Sequence, residues 1–474
     1  MGRSERIVRP PGCVSLKSYD LCQGLDQEVK SLLLSQYGDE HLHRILENLK
    51  FPPSYTSVRV NTLLINSEDA KEELMQALAK GGGGCETSFN VEFHDVLENC
   101  LLLRENPVTG PLHHSVGCES EPLSMILVDR LCGEAVLRGS DIFVSGILGA
   151  QKGMRRGDRC SIYAHVGGRG VFRGMTVESY EGACIFLGEG IAEVSRSDIF
   201  RLPNGIGVKV SRTVGPRLPP LNGLMNGKIL MQNIPSIVVP IVLDPRPGDV
   251  VLDMCSAPGG KTTHIAALMD NRGVLVACEK SKNKMMNARK RFHKMNASVV
   301  IPLVLDSTKM VIEDEPWISP IEIIKNAQRL EKAGEFLNVQ KFYPHSFEKI
   351  LVDPPCSALG LRPRLFIELN LRSLRKIIKY QKAFVENAVQ LLKEKGVMTY
   401  STCTINSEEN EGMVKWILNN FSCLTLVPID ISFGGKPGLP NCGLSDVERN
   451  MVRRFDACDQ FDTMGFFIAK FVKN

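Results

Sequence analysis

The carboxy-terminal half of the chain has the pattern of a doubly wound α/β domain, and three observations predict it. From about residue 225 onward, short apolar runs alternate with helical patterns. Two of these runs, KILVD and VMTYS, lead directly into cysteine-containing segments, at Cys356 and Cys403. A glycine-containing turn, DMCSAPGGKTTH at 253–264, separates the first strand from the first helix. Parallel strands joined by helices, with ligand groups at the strand carboxyl ends, are typical of this fold class.

Composition sets the outer limits of the prediction. The chain has 474 residues, of which 43% are hydrophobic and 23% charged, as in an ordinary globular protein of two or three domains. The net charge of +4 is modest, so a nucleic-acid surface would have to come from local clusters. The basic start MGRSERIVRPPGC lacks an apolar core, and proline breaks the longest apolar stretch, IPSIVVPIVL. We therefore expect neither secretion nor association with a membrane.

The cysteines indicate a reducing compartment. Their number is odd, at 15, and no two have CxxC spacing. This favours free thiols over disulfides or a zinc cluster, and we expect no metal site. The predicted location is the cytoplasm, with the nucleus as the alternative.

Changes of texture along the chain predict three units. Residues 1–109 form a mixed, largely helical segment, in which the strand-like run TSVRVNTLLI lies between helical patterns and 81–84 form a glycine loop tip. Residues 110–203 contain short β-like pieces separated by glycine and charged turns, which predicts a mostly-β module. Residues 204–474 form the α/β domain. Its polar stretch at about 310–345 is longer than a connection requires and is expected to be a surface insertion.

The two strand-end cysteines suggest covalent attack on a pyrimidine. C5 of cytosine is too electron-poor to accept a methyl group until a soft nucleophile adds to C6, and a thiolate suits that step. One cysteine would be enough for addition, so a second implies a divided task. The ordinary alternative is that each is a buried structural cysteine. Asp353 and two prolines before Cys356, and a Ser-Thr pair before Cys403, favour the catalytic interpretation.

The glycine turn and two strand-end acids predict a small-molecule site on the same rim. Gly259 and Gly260 permit a close turn before a helix N-terminus. The tail GGKT is similar to a phosphate-binding P-loop, but Cys255 occupies the position that needs glycine, which disfavours nucleotide hydrolysis. Glu279 ends the second strand, where a carboxylate usually accepts ribose hydroxyls, and Asp306 ends the third. Either acid alone could simply cap a helix or face water.

Together these motifs resemble the NSUN family of RNA cytosine-5 methyltransferases. SAPGGKTTH, VDPPCSALG and STCTINSEENE resemble three motifs of the family and occur in the family's order, over roughly 225–474. RVNTL at 59–63 resembles its N-terminal motif. The mostly-β module resembles a PUA domain, and the arrangement is most similar to the family member that carries one. The resemblance implies a Rossmann-like, adenosylmethionine-dependent methyltransferase domain with an inserted PUA-like RNA-binding domain. This chain departs from the family pattern at Ala358, where CSGxG is usual, at Leu361, and at Glu279, where Asp is common.

The resemblance also implies roles for single residues. Cys403 is the nucleophile, Asp353 hydrogen-bonds the base, Cys356 assists proton removal and enzyme release, and Lys261 reaches the base or the cofactor carboxylate. In DNA cytosine methyltransferases the Pro-Cys cysteine attacks instead, an assignment against which Cys403 argues. The cofactor implied is S-adenosyl-L-methionine. Its predicted contacts are Cys255, Ser256, Ala257, Pro258, Gly259, Gly260, Lys261, Glu279 for the ribose, Lys284, Asp306 for the adenine amino group, and Asp353.

Basic clusters are the predicted RNA contacts. Four lie in the β-rich module, Lys152, Arg155, Arg156 and Arg159, and others lie in the basic helix at 280–291, Lys280, Lys282, Lys284, Arg289, Lys290 and Arg291. Such residues bind phosphates and set affinity more than sequence choice. The family resemblance implies tRNA with a CCA end as substrate, with mRNA as a further one, and we expect a monomer. Two alternatives stay open: an RNA-binding protein with weak or no activity, and an rRNA cytosine-5 methyltransferase.

Overall fold

The computed structural model describes residues 12–81, 89–106, 123–167, 171–216, 218, 221, 223–311 and 341–474. Its strands form three sheets, one in the N-terminal segment, one in the β-rich module and one in the carboxy-terminal domain. Most of the predicted surface insertion, and residues 82–84 of the predicted glycine loop, lie outside the described residues.

The N-terminal segment is a mixed unit that pairs with a later strand. Its elements are β1 (Cys13–Val14), α1 (Gln27–Tyr37), α2 (Asp39–Leu49), β2 (Tyr55–Val60), α3 (Ser67–Gly81), β3 (Phe89–Phe93) and β4 (Cys100–Glu105). Asp26 begins α1 by accepting the Glu28 backbone N–H at 2.8 Å. The predicted strand TSVRVNTLLI ends early, at Val60, because the buried Asn61 amide turns to donate to Gly227 O and Met295 O.

The β-rich module forms an eight-stranded sheet with two short helices. Its elements are β5 (Ser124–Val128), α4 (Arg130–Leu137), β6 (Ile142–Phe143), β7 (Ile147–Ala150), β8 (Arg159–Gly167), β9 (Met175–Thr176), β10 (Ala183–Ala192), α5 (Arg196–Ile199) and β11 (Ile206–Thr213). The predicted boundary at 203 falls too early, because β11 pairs antiparallel with β10 and belongs to this sheet. β1 completes the sheet by pairing parallel with β10.

The carboxy-terminal domain is the predicted doubly wound α/β structure. Its elements are β12 (Ile229–Met231), α6 (Ile234–Leu243), β13 (Val250–Asp253), α7 (Gly260–Leu268), β14 (Val274–Glu279), α8 (Lys282–Lys294), β15 (Val300–Val304), β16 (Phe347–Val352), α9 (Leu371–Leu391), β17 (Leu392–Thr402), α10 (Glu411–Asn420), β18 (Leu424–Val427), α11 (Asp446–Met451), β19 (Arg453–Phe455) and β20 (Phe466–Lys473). β12 is the exception, since it pairs with β2 in the N-terminal sheet.

The order of the main strands creates a crevice. It reads β15-β14-β13-β16-β17-β20-β18, with the first five parallel and β20 antiparallel to both of its neighbours. The chain direction across the sheet reverses between β13 and β16, and ligands bind outside the strand carboxyl ends at such a point. The strands themselves are almost entirely buried, as expected for parallel strands covered by helices on both faces.

The apolar run IPSIVVPIVL forms α6, a core helix packed against α7, β17 and β20. Proline at its second position suits a helix start, where no intrahelical partner for the N–H is needed. Among the described helices, none combines the length and the apolar character that crossing a membrane requires.

Candidate active site

A cavity of about 280 Å³ lies at the carboxyl ends of the five parallel strands. Each of these strands contributes a lining residue at or just after its end. The lining residues are Met254, Cys255, Ala257, Lys261, Glu279, Lys280, Lys284, Leu305, Ser307, Asp353, Pro354, Pro355, Cys356, Ala358, Tyr380, Phe384 and Cys403. All four predicted catalytic residues are therefore brought together.

The two cysteines face each other within this cavity. Cys403 directly follows β17, Cys356 lies in the loop after β16, and their Sγ atoms are 3.3 Å apart. The Gly360 N–H donates to Cys403 O at 3.0 Å, which links the two cysteine segments. A side chain at Gly360 would meet Gly465 O at 2.1 Å, so this close approach requires glycine.

An ion pair lies beside the thiols. Lys261 Nζ donates to Asp353 Oδ2 at 2.7 Å, and Ser401 Oγ donates to the other carboxylate oxygen at 2.8 Å. The side chains of Lys261 and Asp353 are only 15% and 24% exposed, so solvent screens the pair weakly. Burial opposes the charge of Lys261, but the attraction of Asp353 and the hydrogen bond with it raise the pKa of the ammonium overall. Lys261 is thus a fixed positive charge.

The surroundings of the two thiols make them chemically unequal. The hydrogen bond from Cys356 lowers the pKa of the Cys403 thiol, and this effect together with the charge of Lys261 outweighs burial and the nearby carboxylates. Donating this hydrogen bond raises the pKa of the Cys356 thiol well above its usual range, and burial and the nearby Glu409 carboxylate raise it further. The pair therefore favours a thiolate at Cys403 and a protonated thiol at Cys356.

A buried carboxylate, Glu409, ties both cysteine loops to α9. It accepts hydrogen bonds from the backbone N–H (2.9 Å) and Oγ (2.5 Å) of Ser357, the residue after Cys356. It also accepts from Asn406 Nδ2 in the loop after Cys403, at 3.2 Å, and from Gln381 Nε2 on α9, at 2.9 Å. A side chain that accepts from both loops fixes their relative position, and with it the separation of the two sulfurs.

The N-terminal helix α1 and a strand near the carboxy terminus hold the loop after Cys403. Tyr37 Oη donates to Ile405 O at 2.7 Å, and Arg454 donates to the same oxygen at 3.0 and 3.1 Å. Arg454 also forms a fully buried ion pair with Glu411, with both contacts at 3.0 Å. Gln36 completes the attachment by accepting the Ser407 N–H at 3.0 Å.

Ala358, in the loop after Cys356, adopts a left-handed backbone with φ of 56°. This is the position at which the family pattern usually has glycine, which takes that conformation without steric cost. Alanine there costs about 1–2 kcal/mol in backbone strain.

The predicted cofactor turn divides into lining and supporting residues. Cys255 and Ala257 line the cavity, whereas the Ser256 hydroxyl points away and donates to Cys278 O at 3.1 Å. Pro258, Gly259 and Gly260 do not line the cavity. Pro258 is exposed, and Gly259 has φ of 103°, where a Cβ would meet the Phe292 ring at 2.9 Å. Burial raises the pKa of the underlying Asp253 to about 6, although hydrogen bonds from Thr262 Oγ1 and Cys255 N oppose the shift.

The two strand-end acids take different positions. Glu279 lines the cavity, and its Oε1 accepts the Ser281 N–H at 2.7 Å. Asp306 does not line the cavity; it pairs with Lys280 at 2.8 Å and accepts from Thr308. Partial burial opposes the charge of Asp306, but these hydrogen bonds lower its pKa overall. Its neighbours Leu305 and Ser307 line the wall instead, and the predicted adenine contact of Asp306 stays a prediction.

The N-terminal segment reaches the same turn through Arg59 of the RVNTL run. This fully buried guanidinium donates to Gln232 Oε1 at 2.9 Å and to Thr263 Oγ1 of α7 at 2.8 Å. Burial, and then the charge of Arg291, lowers the pKa of Arg59 to about 9. Through Arg59, the RVNTL run therefore holds the start of α7, the helix that follows the glycine turn.

Sequence reasoning missed the aromatic wall of the cavity. Tyr380 and Phe384 lie one turn apart on α9, with ring centroids 5.0 Å apart and edge-to-face packing. The signal that could have found them is their i, i+4 spacing on an amphipathic helix that follows the Cys356 loop.

The predicted RNA-binding residues lie on two different surfaces, one on the β-rich module and one at and before α8. Lys152, Arg155, Arg156 and Arg159 are all exposed on the β-rich module, where Arg159 pairs with Glu189 at 3.3 Å. In the second cluster, Lys280 precedes α8 rather than lying on it, and it lines the cavity together with Lys284. None of these positions tests RNA contact, so both clusters stay predictions.

Comparison with known proteins extends the similarity over the whole chain. Residues 240–472 match the family model described as 16S rRNA methyltransferase RsmB/F. The mouse tRNA (cytosine(72)-C(5))-methyltransferase NSUN6 is 35% identical over 95% of this chain and 93% of its own length. The Arabidopsis thaliana rRNA (cytosine-C(5))-methyltransferase NOP2C is 32% identical over 96% of this chain and 91% of its own length. The crystal structure of NSun6 from Pyrococcus horikoshii with SFG matches with a TM-score of 0.70 and 28% identity, covering 95% of this chain and 99% of that one.

Proposed function

This chain belongs to the RsmB/F family of S-adenosylmethionine-dependent RNA cytosine-5 methyltransferases, and we propose that its substrate is tRNA, methylated near the CCA-bearing acceptor end. The similarity confirms the family, fold class and cofactor predicted from the sequence. The observation that carries the substrate proposal is the similarity to NSUN6, which spans the β-rich module as well as the catalytic domain. The proposal also includes mRNA as a secondary substrate, a monomer, and the cytoplasm as location.

The residues present fit the cofactor. The cavity offers a carboxylate, Glu279, at the end of the second parallel strand, and apolar walls in Leu305, Tyr380 and Phe384. These groups suit a ribose and an adenine ring, respectively. S-adenosylmethionine supplies an electrophilic methyl group when bound. Its amino-acid end would lie against the turn that begins at Met254 and Cys255.

The chain's own residues divide the reaction on the base. Cys403, the thiol of lowered pKa, adds to C6 of the cytosine, and Asp353 accepts a hydrogen bond from the base. Negative charge that develops on the ring faces the Lys261 ammonium, 2.7 Å from that carboxylate. Once C5 carries the methyl group, Cys403 is bonded to C6 and no longer charged, so Cys356 can release its proton to solvent and act as a thiolate. That thiolate takes the C5 proton, and the electrons of the C5–H bond form the C5=C6 bond. The C6–Sγ bond breaks, which returns Cys403 as a thiolate and releases the product. The target nucleotide has to leave its stack to reach Cys403.

The experiment measures transfer of labelled methyl groups to a CCA-ended tRNA pool by the wild type, Cys403→Ala and Cys356→Ala, with denaturing gels to detect protein–RNA adducts. We expect label with the wild type, no label with Cys403→Ala, and a trapped adduct with Cys356→Ala. An adduct formed by Cys403→Ala would reverse the two assignments. No label on any RNA, despite RNA and cofactor binding, would favour an inert RNA-binding protein.

An rRNA substrate is the second candidate, because NOP2C is nearly as similar and is matched over as much of the chain. The discriminating substrates are the same tRNA pool with and without its terminal CCA, and protein-free rRNA. A tRNA acceptor-end enzyme loses most of its activity when CCA is removed. Stronger labelling of rRNA, together with indifference to CCA, would replace the tRNA proposal.

A further inference from the structure

A second concave surface, whose lining residues differ from those of the catalytic cavity, is strongly basic. It measures about 400 Å³ and is formed by the first two turns of α9 and the start of α1. Its lining residues, here named the α9 groove, are Glu28, Leu371, Arg372, Arg375, Lys376 and Lys379. The four cations are all exposed and follow i, i+3, i+4, i+7 spacing, so they lie on one helix face.

Among the described residues, these cations have few protein counter-charges. In the described part of the chain, no ion pair includes any of the four, and Glu28 is the one carboxylate that lines the groove. Four positive charges and one negative charge leave the groove with a net charge of +3. Clustered cations on one face repel each other and destabilise a helix, so the protein alone gains nothing from this arrangement.

Their place on the helix adds to this cost. α9 begins at Leu371 and has no acidic residue in its first turn. The positive end of the helix dipole therefore faces Arg372, Arg375 and Lys376, where carboxylates would be favoured and cations are not. An anionic ligand would relieve both sources of repulsion.

The α9 groove and the catalytic cavity share one helix, α9, which contributes lining residues to both. Lys379 is followed by Tyr380, which lines the catalytic cavity. At about 1.5 Å per residue, Arg372 lies roughly 12 Å from Tyr380 along the helix axis. With one phosphate per roughly 3.4 Å of each strand, that length matches about three consecutive phosphates.

We propose that the α9 groove binds the phosphate backbone of the RNA strand that carries the target cytosine. The inference rests on the proposed function for the identity of the ligand as RNA. It adds a surface on the catalytic domain that guides the strand toward the thiols, separate from the basic cluster on the β-rich module.

The test compares two triple variants of equal charge change. One is Arg372→Gln/Arg375→Gln/Lys376→Gln in the α9 groove; Lys379 is kept because it adjoins the cavity. The matched control is Arg246→Gln/Arg272→Gln/Lys395→Gln, three exposed cations at the amino ends of the strands, on the opposite edge of the sheet. Binding of a CCA-ended tRNA is measured from 0.05 to 0.3 M salt, with S-adenosylmethionine binding and the unfolding temperature measured alongside.

We expect the groove variant to bind tRNA about tenfold or more weakly at 0.15 M salt, with a log–log salt slope shallower by about 2, since each lost phosphate contact removes about 0.7–0.9. Its cofactor affinity should stay unchanged, and its unfolding temperature should hold or rise because repulsion at the helix start is relieved. The control should bind tRNA as the wild type does.

Unchanged affinity and slope in the groove variant would overturn the inference and leave the groove to an acidic protein partner. Wild-type protein that binds tRNA through the groove but methylates none would refute the proposed function and not the groove.

Discussion

The two cysteine segments of the cavity contain the same chemical group 3.3 Å apart, yet they are built differently. The loop after Cys403 is buried over 404–407 and is attached to α1 and to Arg454. The loop around Cys356 is partly exposed and contains Ala358 in a left-handed conformation. It is linked to the other loop through Glu409, through a contact of 2.7 Å between the Ser357 and Thr404 hydroxyls, and through the Gly360 N–H. The more buried segment carries the thiol of lowered pKa, and the partly exposed one carries the thiol of raised pKa.

The difference shows that the surrounding residues, and not the residue type, decide which of the two cysteines is the nucleophile. A nucleophile has to be held in a near-attack position beside a fixed positive charge, which Lys261 provides for Cys403. A group that acts later in the reaction tolerates a looser setting. Four substitutions test this contrast, in order of decreasing expected effect.

Arg454→Met should have the largest effect, because it leaves Glu411 buried without its partner and removes two donors from Ile405 O. Breaking one side of a buried ion pair costs about 3–5 kcal/mol of unfolding free energy. Urea denaturation measures this loss, with Arg449→Gln as control, since its partner Asp446 is 91% exposed. Equal, small effects from both variants would show that the Cys403 loop does not depend on its buried ion pair.

Lys261→Met should lower the rate of methyl transfer by about 10²–10³-fold, the range for loss of one preorganised electrostatic group. The sign of the pH effect follows from charge: Lys261 stabilises the Cys403 thiolate, so its loss raises the thiol pKa and moves the rising limb of the pH–rate profile to higher pH. Lys261→Arg keeps the charge and should keep the limb near its wild-type position. A rising limb that does not move in Lys261→Met would show that Lys261 does not contribute to the lowered pKa of Cys403, which would then rest on the hydrogen bond with Cys356.

Glu409→Gln should disturb the Cys356 loop more than the Cys403 loop. The Glu409 carboxylate accepts hydrogen bonds from Ser357 N–H and Gln381 Nε2, and an amide N–H₂ in its place would put a donor against these donors. Leaving such buried donors unsatisfied costs about 1–3 kcal/mol of unfolding free energy. We expect adduct release to slow more than adduct formation, so that the covalent complex accumulates on denaturing gels during turnover. Equal slowing of both steps would contradict a specific effect on the Cys356 side.

Ala358→Gly should have the smallest effect and should stabilise the protein. Glycine removes about 1–2 kcal/mol of left-handed strain but loses about 0.4–1 kcal/mol through the greater freedom of the unfolded chain. The net gain is roughly 0.5–1 kcal/mol, visible as a raised urea midpoint. Ala383→Gly, inside α9, is the control and should destabilise instead.

Local sequence signals predicted the rim of the sheet well. Strand runs followed by an acid, a cysteine or a glycine turn identified Glu279, Asp353, Cys356 and Cys403, because the end of a parallel strand fixes where the next residues lie. The β-rich module was also apparent, but its boundary was misplaced, since the Pro203-Asn204-Gly205 turn looks like a domain border and is followed by another strand of the same sheet.

Contacts between distant parts of the chain could not be predicted in this way. The attachment of Tyr37 to Ile405 and of Arg59 to Thr263 depends on how separate units dock, which no local period encodes. The pairing of Asp306 with Lys280, which directly follows the preceding strand, was likewise not predicted, and the cofactor contact of Asp306 stays a prediction. Tyr380 and Phe384 were not singled out, because apolar residues four apart on an amphipathic helix are ordinarily core residues; here they form one wall of the cavity.

The hydrogen bonds between α1 and the loop after Cys403 have a consequence for biosynthesis. Gln36 and Ser407 are 371 positions apart, and β20, which pairs along β17 over Val397–Thr402, lies later still. At roughly 5–20 residues per second, a ribosome needs about 20–75 s to travel from one partner to the other. During that interval the segment to which α1 binds has not been synthesised. The nascent chain therefore contains no assembled pair of thiols. The environment of the reactive sulfur is therefore completed only after β17, the loop that follows it and β20 have been made, long after α1.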